Sequence, residues 1–366
     1  MDLLGLVKQL EKDFNVVANN PMLQFESDGQ QLVFSSLLPE RTVLQNSYRE
    51  NNIQFRTMIA NASTRYSPPI KKGKALTGSV AVELGESDIA SELAMHAYEA
   101  LNMALQQNAT QEGIATLIRW FDTTVSQPLA LLREKERADA ITKGYYERTG
   151  ANGLYEMVRY PSFPGHRVVL PSGTAATPAG LYDPAFDLLG MLKQKKRLME
   201  DKGFRIGRIL INPTVQDLIL GLDQVKAYGM TRFDTGSTVV NLPLATESET
   251  IRAAFASIGL PIPEVVDSGY TDEDGYHKFM GDQIILVSNT NRQQVVEGLD
   301  KPLVLYNTLG YTAIGTATGQ LTPGIATYVE AHAGKQARIE ATGWQTTFAV
   351  LESPDAVVSI DIPALA

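Results

Sequence analysis

The chain contains no cysteine. That excludes a disulfide scaffold, a thiolate zinc site, an iron–sulfur cluster and a cysteine nucleophile together. It suits a protein made and used without redox control. Long apolar runs are also missing: none approaches the roughly 18–20 residues of a membrane span. Histidine is scarce, and His96, His166, His277 and His332 sit in different segments, with no metal-ligand spacing such as H-x-x-x-H. There is no G-x-x-x-x-G-K-S/T phosphate loop, no G-x-G-x-x-G fingerprint and no G-x-S-x-G elbow. Positive charge is in deficit: 32 Lys and Arg against 41 Asp and Glu give a net −9. Such a chain binds nucleic acid poorly without sequence preference, because counterion release needs clustered cations. The N-terminus places acidic Asp2 before Lys8, the reverse of a secretory signal. The protein is expected to be cytosolic when made.

What is present is ordinary globular composition. The 366 residues are 44% hydrophobic, enough for a sizeable core and, at about 150 residues per domain, for two to three domains. Gly 29 and Pro 18 argue against fibrous or disordered classes. The charge is uneven. Residues 51–82 have no Asp or Glu but carry Arg56, Arg65, Lys71, Lys72 and Lys74, a net +5, so the remainder carries −14.

The N-terminal MDLLGLVKQLEKDF reads as a short amphipathic helix, with Leu3, Leu6, Val7 and Leu10 on one stripe. Residues 15–50 read as an extended polar arm with weak strand signals. Residues 52–66 and LTGSVAVELG are strand-like runs around a Pro/Gly/Lys connection, the pattern of a long hairpin. A two-stranded ribbon is marginal alone in water, so this one needs support from elsewhere.

From Asp88 to Gln107 the apolar spacing predicts a helix capped by Ser87 or Asp88. A second helix is expected from about Glu112 to Lys143, disturbed at Pro128 and stopped at Gly144. Residues 145–182 read as loops and short strands. Asp183-Pro184 and Asn212-Pro213 each pair a cap with a proline at the first helical position, and Thr246 with Glu249 spells a capping box. Strands are expected at 208–211, 264–267, 276–280, 283–288 and through much of the C-terminal third. Asp272–Gly275 forms a hairpin turn there, and Ala333-Gly334 a second tip. The fold class is α+β.

Catalytic signals are weak. Asp234-Thr235-Gly236 matches the Asp-Thr-Gly signature of aspartic proteases, and Asp267-Ser268-Gly269 could be its second copy. That chemistry needs two carboxylates sharing a proton, one from each of two equivalent lobes. These are only 33 residues apart, and turns explain both. Asp272, Glu273 and Asp274 lack the ligand series of a calcium loop. Lys193, Lys195, Lys196 and Arg197 form a basic helical run, most simply a solvated face. No catalytic, cofactor or metal residue is assigned. A long basic hairpin, an arm and a long helix suit a building block better than an enzyme.

The segments SPPIKKGKALTGSVAVELG, REKERADAITKG, DPAFDLLGMLKQKKRLMEDKGFRIGRILINPTVQDLI, GLPIPEVVDSGYTDEDGYHKFMGDQIILVSNT and the stretch from LTPGIATYVEAHAGKQ to the final strand follow one another in a telling order. Over about residues 50–366 the chain resembles the tailed-phage major capsid proteins of the lambda major capsid protein E family, with the Hong Kong 97 phage-type fold. The resemblance implies an N-terminal arm (1–50) and an extended E-loop (51–86) lying over a neighbouring subunit. It implies a peripheral P-domain with a spine helix (87–150), an axial A-domain (151–310), a P-domain hairpin (311–345) and a final A-domain strand (346–366). It also implies self-assembly into hexamers and pentamers of an icosahedral shell in the virion, built in the host cytoplasm and enclosing double-stranded DNA without sequence-specific binding. The implied partners are a separate scaffolding protein, a portal protein and a decoration protein, with no membrane and no cofactor.

Arg65, Pro68, Pro69, Lys71, Lys72 and Lys74 are the expected inter-subunit contacts, the lysines docking on carboxylates of a neighbour. The alternatives are an aspartic hydrolase using Asp234 and an encapsulating-compartment shell protein of the same fold.

Overall fold

The computed structural model describes residues 3–19, 32–43, 47–54, 76–83, 85–93, 98–99, 103, 110–150, 153–160, 165–174, 176–234, 239–243, 246–272, 274–288, 292–296, 303–307, 309–332 and 338–365. Two five-stranded sheets organise them. The first contains β1 (Glu40–Thr42), β4 (Gly85–Leu93), β19 (Tyr311–Ile314), β20 (Ile325–His332) and β21 (Arg338–Val350). The second has the order β13 (Pro263–Val265), β10 (Ile206–Ile211), β16 (Gln283–Ser288), β22 (Val357–Asp361) and β7 (Arg167–Val169). The remaining strands form two-stranded ribbons: β2 (Ser47–Gln54) with β3 (Leu76–Glu83), β5 (Tyr145–Gly150) with β6 (Gly153–Arg159), β8 (Gly173–Thr174) with β9 (Thr177–Pro178), β11 (Met230–Asp234) with β12 (Val239–Pro243), β14 (Gly269–Asp272) with β15 (Gly275–Lys278), and β17 (Arg292–Val296) with β18 (Leu303–Asn307). The fold is α+β, as expected.

The first sheet is built around β21. It pairs antiparallel with β4 along Thr347 to Ile339, with β20 along Gln345 to Arg338, and with β19 at its C-terminal end. Helix α1 (Leu3–Asn19) packs beside it, burying Val7, Leu10, Phe14 and Ala18 against Leu117, Phe121, Ile325 and Ile339. The Phe14 and Phe121 ring centroids are 4.8 Å apart. Full burial of such a side chain is worth about 1.5–3 kcal/mol. Asn19 fixes the other end: its Oδ1 accepts from the Ile325 N–H at 2.8 Å and its Nδ2 donates to the Ile325 carbonyl at 3.1 Å. The expected helix is therefore present but longer, so residues 15–19 are helical rather than extended. The segment QLVFSSLLPERTV contributes a short helix, α2 (Val33–Leu37), before β1.

The helix expected over 88–107 does not begin where its caps suggested. Residues 85–93 are strand β4, and Ser87 and Asp88 pair with Gln345 and Trp344 instead of capping a helix. Ile89 and Leu93 fit both periods: four apart, they share a helix face, and they also share one face of a strand. Nine ladder positions against β21 decide between them. Helical residues do occur further on, at Tyr98, Glu99 and Met103.

The long helix is present as α3 (Thr110–Phe121), a π-helical turn at Asp122–Ser126, and α4 (Gln127–Thr142). The disturbance expected at Pro128 takes the form of that wider turn. In a regular helix the proline ring would strike the carbonyl four residues back, at Thr124. Gly343 on β21 faces the same turn, and a Cβ there would lie 2.4 Å from Val125 Cγ1. Gly144 ends the helix with φ +73°, its N–H bonded to the Asp139 carbonyl. A Cβ on Gly144 would lie 2.2 Å from Arg167 Nη2. Glycine therefore lets Arg167, on β7 of the second sheet, reach the helix's final carbonyls at Thr142 and Ile141.

The second sheet carries α5 (Leu188–Asp201), α6 (Pro213–Gly221), α7 (Asp223–Gly229) and α8 (Glu247–Ser257). Their shared core is mostly aliphatic, with Leu188, Leu192, Ile209, Ile211, Val215, Ile219, Ile284 and Val358 among its buried members beside Phe255. Asn212 caps α6 through Val215 N–H at 2.8 Å, and Thr246 and Glu249 form the expected capping box. The cap of α5 is Asp187, not Asp183. Asp183 instead accepts from the Ala185 N–H in a turn, and the helix starts only at Leu188. Of the strand expected at 52–66, residues 52–54 belong to β2 and 55–66 lie outside the described residues, while the short strands expected within 145–182 include the ribbon β5–β6. The boundary expected at 345/346 falls inside β21, which stays in the first sheet to Val350.

Candidate functional site

The expected contact residues Arg65, Pro68, Pro69, Lys71, Lys72 and Lys74 lie outside the described residues. The hairpin that would carry them is present at its base. β2 and β3 pair antiparallel at eight positions, from Ser47 opposite Glu83 to Gln54 opposite Leu76. The chain then passes within two residues into β4, the strand that borders β21. The basic segment is thus the connection of a ribbon that springs from the first sheet.

Among the described residues a dense polar cluster lies on α4, at Arg133-Glu134-Lys135-Glu136-Arg137. Charged residues almost never go fully inside unless paired, yet Glu134 is 0% exposed, Glu136 and Arg137 3%, and Arg133 7%. Every one has partners. Glu134 Oε1 accepts from the backbone N–H of Phe34 at 2.8 Å and Ser35 at 3.3 Å, at the start of α2. Its Oε2 accepts from Arg137 Nη1 at 3.2 Å. Arg137 Nε donates to Thr312 Oγ1 at 2.7 Å and its Nη2 to Glu40 Oε1 at 2.8 Å. Arg133 Nη1 approaches the same Glu40 oxygen at 3.3 Å. Glu136 pairs with Arg148 of β5 through Nε at 2.7 Å and Nη2 at 3.0 Å, and Arg148 also donates to the Thr347 carbonyl of β21 at 2.6 Å.

The two glutamates beside Arg137 shift in opposite directions. Burial raises the Glu134 carboxyl, and Arg137 with the two amides only partly opposes it. Burial also acts upward on Glu40, but Arg133 and Arg137 outweigh it and hold that carboxyl below its ordinary value. The Glu40 side chain is still 45% exposed, so its desolvation is incomplete. Chemically the cluster is a clamp. It ties α2 and β1 from the N-terminal region to α4 and to β19 and β21, and leaves its carboxylates engaged by arginines.

Catalytic arrangements fare worse. Asp234 is the last residue of β11, opposite Val239, and residues 235–238 lie outside the described set. Asp267 precedes a different ribbon, is 63% exposed at its side chain, and pairs with Lys278 Nζ at 3.1 Å. A proton-sharing dyad needs a carboxylate where Asp267 has a lysine. His166 is buried, with Nδ1 3.2 Å from the Val357 carbonyl; His277 Nε2 is 2.9 Å from Asp272 Oδ1; His332 lies beside Glu340. His96 lies outside the described residues. Among the described residues no group of His, Asp and Glu could hold a metal ion, and no helix is long and apolar enough to cross a membrane.

In the basic run, Lys196 Nζ donates to the Ile258 and Gly259 carbonyls at the end of α8, and Lys195 Nζ donates to the Gly165 carbonyl. Burial lowers the Lys195 ammonium from its ordinary value. Two of the four cations in that run are therefore helix-end and loop fasteners. The sequence reading missed the REKER clamp, though five consecutive charges inside an otherwise apolar helical stripe were the available signal.

No known family model matches the chain, and no curated protein sequence matches it. Similarity appears at the level of solved structures. A prophage capsid protein from E. coli CFT073 superposes with a TM-score of 0.55 at 12% identity, covering 94% of this chain and 99% of that one. A phage-related protein from Bordetella bronchiseptica RB50 gives 0.47 at 15% identity, covering 93% and 96%. A structure from Mycobacterium phage Patience gives 0.44 at 12% identity, covering 100% and 90%. The first of these carries the fold assignment. The two-sheet α+β architecture is that of a phage capsid protein.

Proposed function

We propose that this chain is a tailed-phage major capsid protein that self-assembles into hexamers and pentamers of an icosahedral shell around double-stranded DNA. The observation that carries the reading is end-to-end agreement with a capsid protein fold, 94% of one chain against 99% of the other. The charge distribution supports it. A basic connection on a two-stranded ribbon can dock on an acidic sister copy, and a closed shell is built from such heterologous contacts repeated many times. An acidic average also keeps the wall from holding packaged DNA tightly.

In this reading the first sheet with α3 and α4 is the P-domain and its spine. The second sheet with its helices is the axial A-domain, and residues 51–86 are the extended loop over a neighbour. The protein acts as a structural component of the virion, assembled in the host cytoplasm with a separate scaffolding protein, a portal and a decoration protein.

Electron microscopy of the expressed protein, with and without a scaffolding protein, tests the proposal. Closed particles or rings are expected. A protein that stays monomeric at every concentration and with every helper overturns it. Charge reversal at Lys71, Lys72 and Lys74 together is expected to abolish particles while leaving the thermal unfolding of the monomer unchanged. Normal particles from that variant would remove the docking role of the lysines. Single exposed ion pairs are worth only about 0–1 kcal/mol, but a shell multiplies each loss by its copy number.

A further inference from the structure

Four of the five residues of the REKER run form the clamp; Lys135 takes part in none of its ion pairs. Its Nζ lies instead 5.0 Å from the centre of the Tyr270 ring, a contact that favours the charged ammonium. Lys135 and Tyr270 stand at a cavity of about 250 Å³ between the end of α4 and the ribbon β14–β15, with Asp139, Lys143, Lys278 and Gln283 also in its wall. Three ammonium groups against one carboxylate make this wall positive, in a chain of net −9. The two ion pairs at the wall leave it open to a further anion. Lys143 Nζ is 2.7 Å from Asp139 Oδ1, yet its side chain is 50% exposed and an ammonium has three donors. Burial pulls that ammonium down, but Asp139 outweighs it and holds it above its ordinary value. Lys278 pairs with Asp267 at 3.1 Å, both side chains exposed, and such pairs are weak. The C-terminal carbonyls of α4 would repel an anion, but Arg167 donates to those of Thr142 and Ile141. Gln283 adds an acceptor: its Nε2 donates to Asp361 Oδ1 at 2.8 Å, and its Oε1 is buried with no hydrogen-bond partner among the described residues.

We propose that this cavity binds a phosphate group, as inorganic phosphate or a small phosphate monoester, held by Lys135, Lys143 and Lys278. Lysines meet phosphate oxygens as separate point charges, whereas a flat carboxylate is better matched by the arginine fork. Near pH 6 about half of a phosphate monoester still carries a P–OH, and that hydroxyl is a donor for Gln283 Oε1. Sulfate and the phosphodiesters of duplex DNA have no such hydroxyl. Occupancy ties α4, which carries two of the lysines or lies beside them, to β15, which carries the third, so a bound phosphate stabilises the fold by mass action. Binding needs no second copy and stands apart from shell assembly.

Thermal unfolding and isothermal titration of the full chain near pH 6 and at fixed ionic strength test this, with inorganic phosphate, AMP as the monoester, sulfate and chloride as probes. A saturable rise in unfolding temperature is expected with phosphate or AMP, a smaller one with sulfate and none with chloride. Whichever of phosphate and AMP saturates at the lower concentration identifies the source of the group. Lys135→Met keeps an apolar stem against Tyr270 and is expected to weaken phosphate binding by about tenfold or more. Lys278→Met, at the exposed end of β15, is expected to do the same and carries the test should Lys135→Met fail to fold. Asp139→Asn is expected to tighten binding, because it removes the carboxylate from the wall, a gain that a merely structural role would not produce. Lys193→Met, on the exposed face of α5, is expected to leave binding unchanged. No saturable response to phosphate or AMP, an equal response to sulfate, undiminished binding in the folded lysine variants, or an equal loss from Lys193→Met each overturns the inference and leaves the shell function untouched.

Discussion

Both sheets are covered by apolar packing, but the first adds a second device that the second lacks at its helices. Beneath the second, aliphatic side chains from α5, α6 and α8 fill the space against β10, β16 and β22, and helix caps close the ends. Alongside the first, at α4, a row of buried glutamates and arginines does the joining. Apolar packing is non-directional and tolerates substitution of similar volume. A buried ion pair is directional: its partners must be the right groups at the right distances, and its desolvation cost can cancel its attraction. The second sheet therefore owes its stability to burial. The clamp at α4 contributes chiefly by specifying that α2, β1 and β5 settle at α4 and at no other place.

Removing one partner should separate these roles most sharply. Arg137→Ala is expected to cost about 3–5 kcal/mol, because Glu134 stays buried with its charge poorly compensated. Replacing Glu134 and Arg137 together with leucine and methionine should cost much less than either truncation alone, as read by urea denaturation. A double variant as damaged as the single one would mean that the pair adds real stability, and the contrast between the sheets would weaken.

In the second sheet, Leu192→Ala is expected to cost about 2–5 kcal/mol through lost transfer energy and a residual cavity. Here a volume-conserving Leu192→Met should recover most of the loss. No such rescue is expected at Arg137 from lysine, which cannot reproduce the forked contacts to Thr312 and Glu40.

The smallest effect depends on pH. Glu40 is held below its ordinary 4.5 in the folded state, so its contribution is present above that value and is lost as pH falls through the folded value. Glu134 runs the other way: with its carboxyl raised, its contribution is fullest below the ordinary value and declines as pH rises through the folded one. Thermal unfolding of Glu40→Gln followed from pH 6 to pH 3 should show a shallower acid limb than wild type. Identical limbs would show that the Arg133–Glu40–Arg137 contact does not report on folding.

Legibility in the sequence followed the range of the forces. Asn212, Thr246 and Glu249 act within one helical turn, and their caps could be read from spacing alone. The amphipathic stripe at Val7 and Leu10 was equally plain, as was the stop at Gly144. Segment 88–93 was misread because its helical pattern is overridden by β21, some 250 residues away. Asp183 was preferred to Asp187 because a proline follows it, yet the chain makes a turn there before the helix begins. Capsid architecture was legible from the order of segments along the chain, not from any single one. The REKER clamp was missed despite its run of charges for a physical reason: charges on a helix are normally solvated, and only the strands arriving from residues 40, 148 and 312 bury these.

The placement of β21 and β22 bears on how the molecule can be made. β4 emerges from the ribosome near residue 93 but finds its ladder partner only after residue 347 has been added. β16 and β7 likewise wait for residues 357–361, which run between them. Neither sheet can close during most of translation, and the unpaired edges of the early strands stand open meanwhile. Completion is then nearly simultaneous for both halves, so in a nascent chain neither half is finished before the other exists.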